Sequence, residues 1–453
     1  MPALPHVYRN AGSATKCLQA CIDNIQSREG EVKAWAALNL NGARAAAAVL
    51  DEEAAVGQFR GPLHGMPLGV KDLFDVAGFQ TRAGSLARAH VAVAGSDAPL
   101  VAALRAAGCV IVGKTHTTEF AYLDPTVTVN PFNPAHTPGG SSSGTGAAVG
   151  AAMVPLALGT QTVGSVCRPA AYCGAAAFKP TTGSTLMTQV VPFSTTYDTV
   201  GFFAPLLELA IEAWHAVCVA GAADPGSLPA ANSQSSSRTR RVKLSSLKGL
   251  RFAIPADHFF SQVDDDIALA LQVTANLLQR AGATRIDLTL GVDLSSMRAR
   301  QRTVMFREAA LLHQELFAGD RATFDRLGRH WREGLSFGNT ISAVDYAQAR
   351  ADLQSISAAA LQVAGEVDVL LVPAAKSTAP TKETTGDPGL ILPWTIFGSP
   401  LAVLPLGLSA TGLPIAIMLA GRPGADVRLA TIALAVQGLI QAAGGGTPIR
   451  ALI

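Results

Sequence analysis

Three side chains in this sequence have the type and setting for acyl-transfer chemistry: Lys71, Ser141 and Ser165. The serines stand in the run from Thr137 to Cys167, TPGGSSSGTGAAVGAAMVPLALGTQTVGSVC, which carries no charged residue and is rich in hydroxyls. Two Gly-Ser elements mark it: Gly139-Gly140-Ser141-Ser142-Ser143-Gly144, and Gly159 through Gly164-Ser165. Glycines let backbone amides approach a ligand closely and adopt dihedral angles closed to other residues. A Gly/Ser tract also reads as a flexible linker, but linkers are hydrated and this one is set in the most apolar part of the chain.

A serine is a weak nucleophile until a base within hydrogen-bond reach takes its proton. The nine histidines stand mostly in polar surroundings, among them His90, His136 and His330, which disfavours a Ser-His-Asp triad. A lysine serves instead where burial makes its charged form costly and leaves a neutral amine. Lys71 fits that requirement, because it ends the apolar run Gly65-Met-Pro-Leu-Gly-Val-Lys71-Asp72. On this segment alone, a snorkelling or ion-paired structural lysine is an equal reading.

A second motif points elsewhere. Gly108-Cys-Val-Ile-Val-Gly113-Lys114-Thr115 fits the phosphate-loop pattern GxxxxGK[ST]. A phosphate loop follows its strand and wraps a polyphosphate with flexible backbone, whereas CVIV is itself a β-branched strand after a helix ending at Gly108, so the match is read as false. Cys17 and Cys21, four apart on an expected helix, have no His or Cys neighbour at metal spacing and read as buried free thiols. No metal and no organic cofactor is expected.

The elements that must position these groups follow from pattern and composition. The chain has 453 residues and a net charge of +2, with 15% of residues charged and 49% hydrophobic. That near-neutral balance argues against a nucleic-acid binder, and the apolar fraction calls for a large aliphatic core. The N-terminus lacks the basic start and apolar core of a secretory signal, so a cytoplasmic location is expected. The uncharged stretch from Pro388 to Gly421 is long enough to span a membrane, but Pro393, Pro400, Pro405 and Pro414 would break a spanning helix. It reads as buried strands and turns, and no membrane association is expected.

Residues 1–60 read as a helical segment, with ATKCLQACIDNIQSREGEVKAWAAL and the Ala-rich run ending at Gly57. From residue 61 to 225 strands and helices alternate, including MPLGVKDLF, APLVAALRAAG and CVIVGK, and a helix of about three turns is expected between the two Gly-Ser elements. Residues 226–248 read as an exposed linker or loop. Residues 249–453 supply the remaining strands, with a helical region over about 295–364 expected to cover the pocket. The fold class that follows is α/β: a single large domain with a mixed, twisted sheet covered by helices on both faces.

GVKD, then GGSSSG, GTQTVGSVCRPAAYCG and Phe178-Lys179-Pro180, resemble the amidase signature family of serine hydrolases, and Asp198-Thr-Val-Gly201, the strand Asp368 to Pro373 and Gly412-Leu413-Pro414 extend the resemblance across most of the chain. Ser141 and Ser165 stand 24 residues apart, the family's spacing for its two catalytic serines. The resemblance implies that Ser165 is the nucleophile, Ser141 a bridging serine on a cis peptide bond and Lys71 the base. It implies an oxyanion site of backbone amides from Thr162, Val163, Gly164 and Ser165, with Gly140, Ser142 and Arg168 toward the substrate; Ser142 and Ser143 fix Ser141 or are exposed turn hydroxyls.

Two departures are a valine at 163 and a glutamine at 161, where many members have Gly and Asp. Ser165-Val-Cys-Arg168-Pro169 is similar to the motif of malonamidase-like members, whose arginine grips a substrate carboxylate; the alternative is that Arg168 pairs with an internal carboxylate. Val163 and Cys167 favour an uncharged acyl or carbamoyl group. The expected function is hydrolysis of small amides, carbamates or ureas through an acyl-enzyme. The alternative is the glutamine-hydrolysing subunit of a tRNA-dependent transamidating complex. A small-molecule substrate is the expected partner, with a homodimer left open.

Overall fold

The computed structural model describes residues 7, 10–219, 247–318 and 321–444. Nearly all of the expected linker, 226–248, lies outside them.

Helix α1 (Ala14–Val32) opens the chain, capped by the Ser13 hydroxyl on the amide of Lys16. It stops at Lys33, which takes a left-handed conformation, and the chain then enters strand β1 (Trp35–Leu38). The expected all-helical start therefore needs correction: WAAL is a strand, drawn into the sheet by burial of Trp35 and pairing with a neighbour. Helix α2 (Leu40–Ala55) follows and ends just before Gly57, as its Ala-rich run predicts.

β2 (Pro67–Lys71), α3 (Pro99–Ala106), β3 (Val110–Thr115), α4 (Ser143–Gly150), β4 (Leu156–Gln161), α5 (Cys167–Tyr172), β5 (Ala176–Lys179), β6 (Thr199–Ala204) and α6 (Leu207–Val219) make the first part of the core. The second comprises β7 (Arg251–Ala253), α7 (Asp265–Arg280), β8 (Thr284–Arg285), α8 (Leu294–Leu312), α9 (Arg329–Thr340), α10 (Ala343–Ala364), β9 (Val369–Pro373), α11 (Leu392–Ile396), β10 (Leu401–Leu408), β11 (Pro414–Ala420) and α12 (Asp426–Ala442). The described strands form one sheet of eleven, in the order β1-β3-β2-β4-β6-β5-β10-β11-β9-β7-β8. β3, β2 and β4 run parallel to one another, as do β9, β7 and β8, and the strands between are antiparallel.

Sequence-distant strands meet at the centre, where Leu401 of β10 pairs with Lys179 of β5. Every residue of β2, β3, β4, β6 and β11 is buried, so helices cover both faces. Pro405, which cannot donate to a ladder, sits where the β10–β11 register shifts. Among the described residues, no helix is long and apolar enough to cross a membrane, and no group of three His, Cys, Asp or Glu side chains is placed to hold a metal.

The phosphate-loop look-alike resolves into sheet packing. Gly108 leaves α3 at φ +94°, and a Cβ on Gly113 would lie 2.2 Å from the Ala37 carbonyl of β1. Lys114 and Thr115 are strand residues, and Lys114 Nζ meets Asp72 Oδ1 at 2.8 Å with both side chains almost fully buried. Removing one member of a buried pair strands the other's charge. Lys114→Met is therefore expected to cost about 3–5 kcal/mol in urea unfolding; a change below about 1 kcal/mol would show that Asp72 finds another partner.

Candidate active site

β2 and β4 are neighbours in the sheet, and their C-terminal ends bring Lys71 beside Thr160. The loop before α4 crosses this edge and delivers Ser141. Lys71 Nζ donates to Ser141 Oγ at 2.8 Å and to Thr160 Oγ1 at 2.9 Å, and both Lys71 and Ser141 are fully buried. Burial pushes the Lys71 pKa well below its ordinary value, while the charge of Asp198 pulls it back in part. The peptide bond between Gly140 and Ser141 is cis.

The neighbouring serines are internal supports. Ser142 Oγ donates to Thr160 O at 3.2 Å and Ser143 Oγ to Gly139 O at 2.7 Å, and both residues are buried. Neither is an exposed turn hydroxyl, and Ser142 turns to the sheet. α4, which they start, has eight residues, about two turns against the three expected, because the chain must leave it at Gly150 to reach β4.

Between β4 and α5 the chain makes a tight turn, 162–166, that carries Ser165 with 7% of its surface exposed. Side chains hold the turn from outside. Gln161 Oε1 accepts from the amides of Val166 (2.9 Å) and Cys167 (3.0 Å), and its Nε2 donates to Thr395 Oγ1 (3.0 Å). Thr395 Oγ1 in turn donates to Val163 O (2.6 Å). On the other flank Thr162 Oγ1 donates to Asp198 Oδ1 at 2.6 Å, while Asp198 Oδ2 accepts from the amides of Phe193 and Ser194. Burial lifts the Asp198 pKa to about 6, with these donors acting against the rise.

Among the described residues, the amides of Thr162, Val163, Gly164 and Ser165 donate to no protein acceptor, in contrast to the two that follow. A short arc of free N–H groups at the end of an apolar strand is suited to receive a developing negative charge. The Ser165 hydroxyl makes no hydrogen bond within the described protein, to Ser141 or any other group. Ile391 and Pro388 close over Gly164, each within 3.0 Å of where its Cβ would be, so the covering is apolar.

Arg168 does not meet the second of its two expected partners, an internal carboxylate, among the described residues. It is 2% exposed, and its Nη1 donates to Gly386 O (2.8 Å) and its Nη2 to Gly140 O (2.6 Å) and Thr385 Oγ1 (3.3 Å). Two backbone carbonyls take its Nη atoms, its buried Nε has no partner among the described residues, no carboxylate among them pairs with the guanidinium, and Gly140 is held by this contact. Gln161 and Asp198 are the site residues whose work the sequence reading missed. Asp198 had a signal in its own right, as a lone carboxylate in an apolar stretch, whereas Gln161 read only as a lost charge.

A family model described as Amidase matches residues 16–430. The 2-amino-5-chloromuconic acid deaminase of Comamonas testosteroni is 31% identical, over 94% of this chain and 93% of that protein. An amidase of Pseudomonas putida is 33% identical over 94% and 92%. A glutamyl-tRNA(Gln) amidotransferase subunit of Chloroflexus aggregans is 29% identical over 94% and 93%. A solved structure from work on the origins of an s-triazine catabolic enzyme superposes with a TM-score of 0.85 at 26% identity, covering 97% of each chain.

Proposed function

The chain belongs to the amidase family and is a hydrolase of carbon–nitrogen bonds, and from that premise we propose that Ser165 attacks, Ser141 relays and Lys71 is the base in cleavage of a small, uncharged amide or carbamate. The observation that carries this reading is the 2.8 Å contact between Lys71 and Ser141, in full burial, beside a turn of free amides ending at Ser165. Neutral Lys71 takes the Ser141 proton as Ser141 takes that of Ser165, and Ser165 Oγ adds to the substrate carbonyl. The amides of residues 162–165 receive the oxyanion. The proton returns through the same hydroxyl to the leaving nitrogen, the C–N bond breaks, and water then cleaves the acyl-enzyme by the same relay. The gap between Ser141 and Ser165 closes when substrate fills the turn, since catalytic hydrogen bonds tighten in the bound complex.

Val163, Ile391 and Pro388 beside the turn favour an uncharged acyl or carbamoyl group. The helices between 294 and 364 are read as the cover of this pocket: α8 packs on α11, and its Arg298 pairs with Asp387. Relatedness to an amidotransferase component supports glutamine hydrolysis within a complex as the second reading. Glutamine turnover by the lone chain, with small amides untouched, would favour it.

The pH profile tests the base. Lys71 loses its proton as pH rises, and Asp198, with a pKa of about 6, holds Thr162 by the stronger, charge-assisted bond above that pH. Both effects depress the acid limb. Activity on a non-ionising amide is expected to climb from pH 5 into the alkaline range; an optimum near pH 5 contradicts a neutral lysine base.

A further inference from the structure

The oxyanion turn proposed above is held by two clamps, and both lead to one helix. The first runs through the loop 193–198. Asp198, which accepts from Thr162, is fixed by the amides of Phe193 and Ser194, and the Asp198 amide donates to Ser194 O at 3.0 Å. The far side of the same loop is gripped by Glu308 of α8, a carboxylate with only 5% of the residue exposed. Glu308 accepts from the Ser194 hydroxyl, from the Thr196 hydroxyl and from the Thr196 amide at 3.1 Å, and Tyr346 OH of α10 donates to it at 2.8 Å. The second clamp is Thr395 of α11, which bonds Gln161 and the Val163 carbonyl, and α11 packs against α8.

We propose that Glu308 is a positioning residue for the C–N bond hydrolysis, holding the loop 193–198 so that Asp198 sets the aim of the oxyanion turn at Thr162. A buried carboxylate satisfied by four donors is costly to hold unless each donor stays in place, so it fixes the loop as a unit. The arrangement spans three elements far apart in sequence: the loop at 193–198, α8 and α10. Glu308 touches neither the catalytic serines nor the turn itself, and its effect passes through Asp198. This inference rests on the assignment of Ser165 and its turn.

The test is Glu308→Gln, with Thr196→Val as a milder variant that removes one donor. Active sites are titrated with a fluorophosphonate that labels Ser165, and kcat is expressed per labelled site. For Glu308→Gln, kcat per site is expected to fall about 10-fold or more with KM within about twofold of wild type, a fraction of the loss seen when an oxyanion donor is deleted outright. Affinity for a trifluoromethyl ketone, which mimics the tetrahedral adduct, should fall in parallel, and Thr196→Val should shift both in the same direction by less. Unchanged kcat per labelled site in either folded variant overturns the inference, because a merely structural role would lower only the number of active sites. Failure of wild type to label at Ser165 would instead remove the underlying assignment.

Discussion

Ser165→Ala is expected to abolish turnover and fluorophosphonate labelling together, leaving the thermal unfolding temperature within a few degrees of wild type. The hydroxyl makes no hydrogen bond within the described protein, so its removal costs little structure and all of the covalent chemistry. Ser141→Ala and Lys71→Ala are expected to lower kcat/KM by on the order of 10⁴-fold or more, since either breaks the proposed relay that takes the Ser165 proton. Members of a relay act as a unit, so the Lys71→Ala, Ser165→Ala double variant should be scarcely worse than Ser165→Ala alone. Lys71→Ala carries one complication: the lysine also donates to Thr160, so its removal leaves a buried hydroxyl short of a partner. Lys71→Met fills the space better and should be equally inactive. A Lys71→Met enzyme that retains a tenth of wild-type kcat/KM would exclude lysine as the base.

Arg168→Gln is the second large expected effect, and it separates a positioning arginine from a substrate-binding one. The guanidinium joins Gly140 O, the carbonyl of the cis peptide, to Gly386 O and Thr385 of the loop that leads to Pro388 and Ile391. One planar fork reaches both carbonyls; a glutamine amide cannot. Leaving buried carbonyls unpaired costs about 1–3 kcal/mol each, and the seat of Ser141 loosens with them. A loss of on the order of 10²-fold in kcat/KM is expected for a neutral amide and for its free-carboxylate analogue alike, with a lower unfolding temperature. Arg168→Lys should not rescue it. If the wild-type enzyme instead prefers the free acid strongly and only that preference is lost, the guanidinium turns to the substrate, and the reading of an uncharged ligand falls.

Much of the fold was legible from pattern. The β-branched run at 110–112, the apolar run before Lys71 and the DVLLVP segment are each short, apolar and bounded by turn residues, and all three are strands of one sheet. β1 was not legible, because WAAL has a helical composition and becomes a strand only by pairing Trp35 and Leu38 with Thr115 and Gly113. The length of α4 was overestimated for a related reason: Ala and Gly set no boundary of their own, and the demands of β4 set it instead.

By itself, the sequence determined the parts and their order: two hydroxyl-bearing glycine turns, a lysine at the end of an apolar strand, and a composition that forces a large aliphatic core. It determined these because residue type and short-range periodicity are local properties. Only the tertiary structure decided who meets whom. The pairing of β2 with β4 sets Lys71 against Thr160, and the loop before α4 adds Ser141 at hydrogen-bond distance. Arg168 turns to two carbonyls rather than to a carboxylate, and Asp198 and Glu308, with no motif in common, join in one loop. Such contacts span tens to hundreds of residues, and their partners are selected by which buried polar groups remain unpaired once the sheet has closed, a condition that no local pattern encodes.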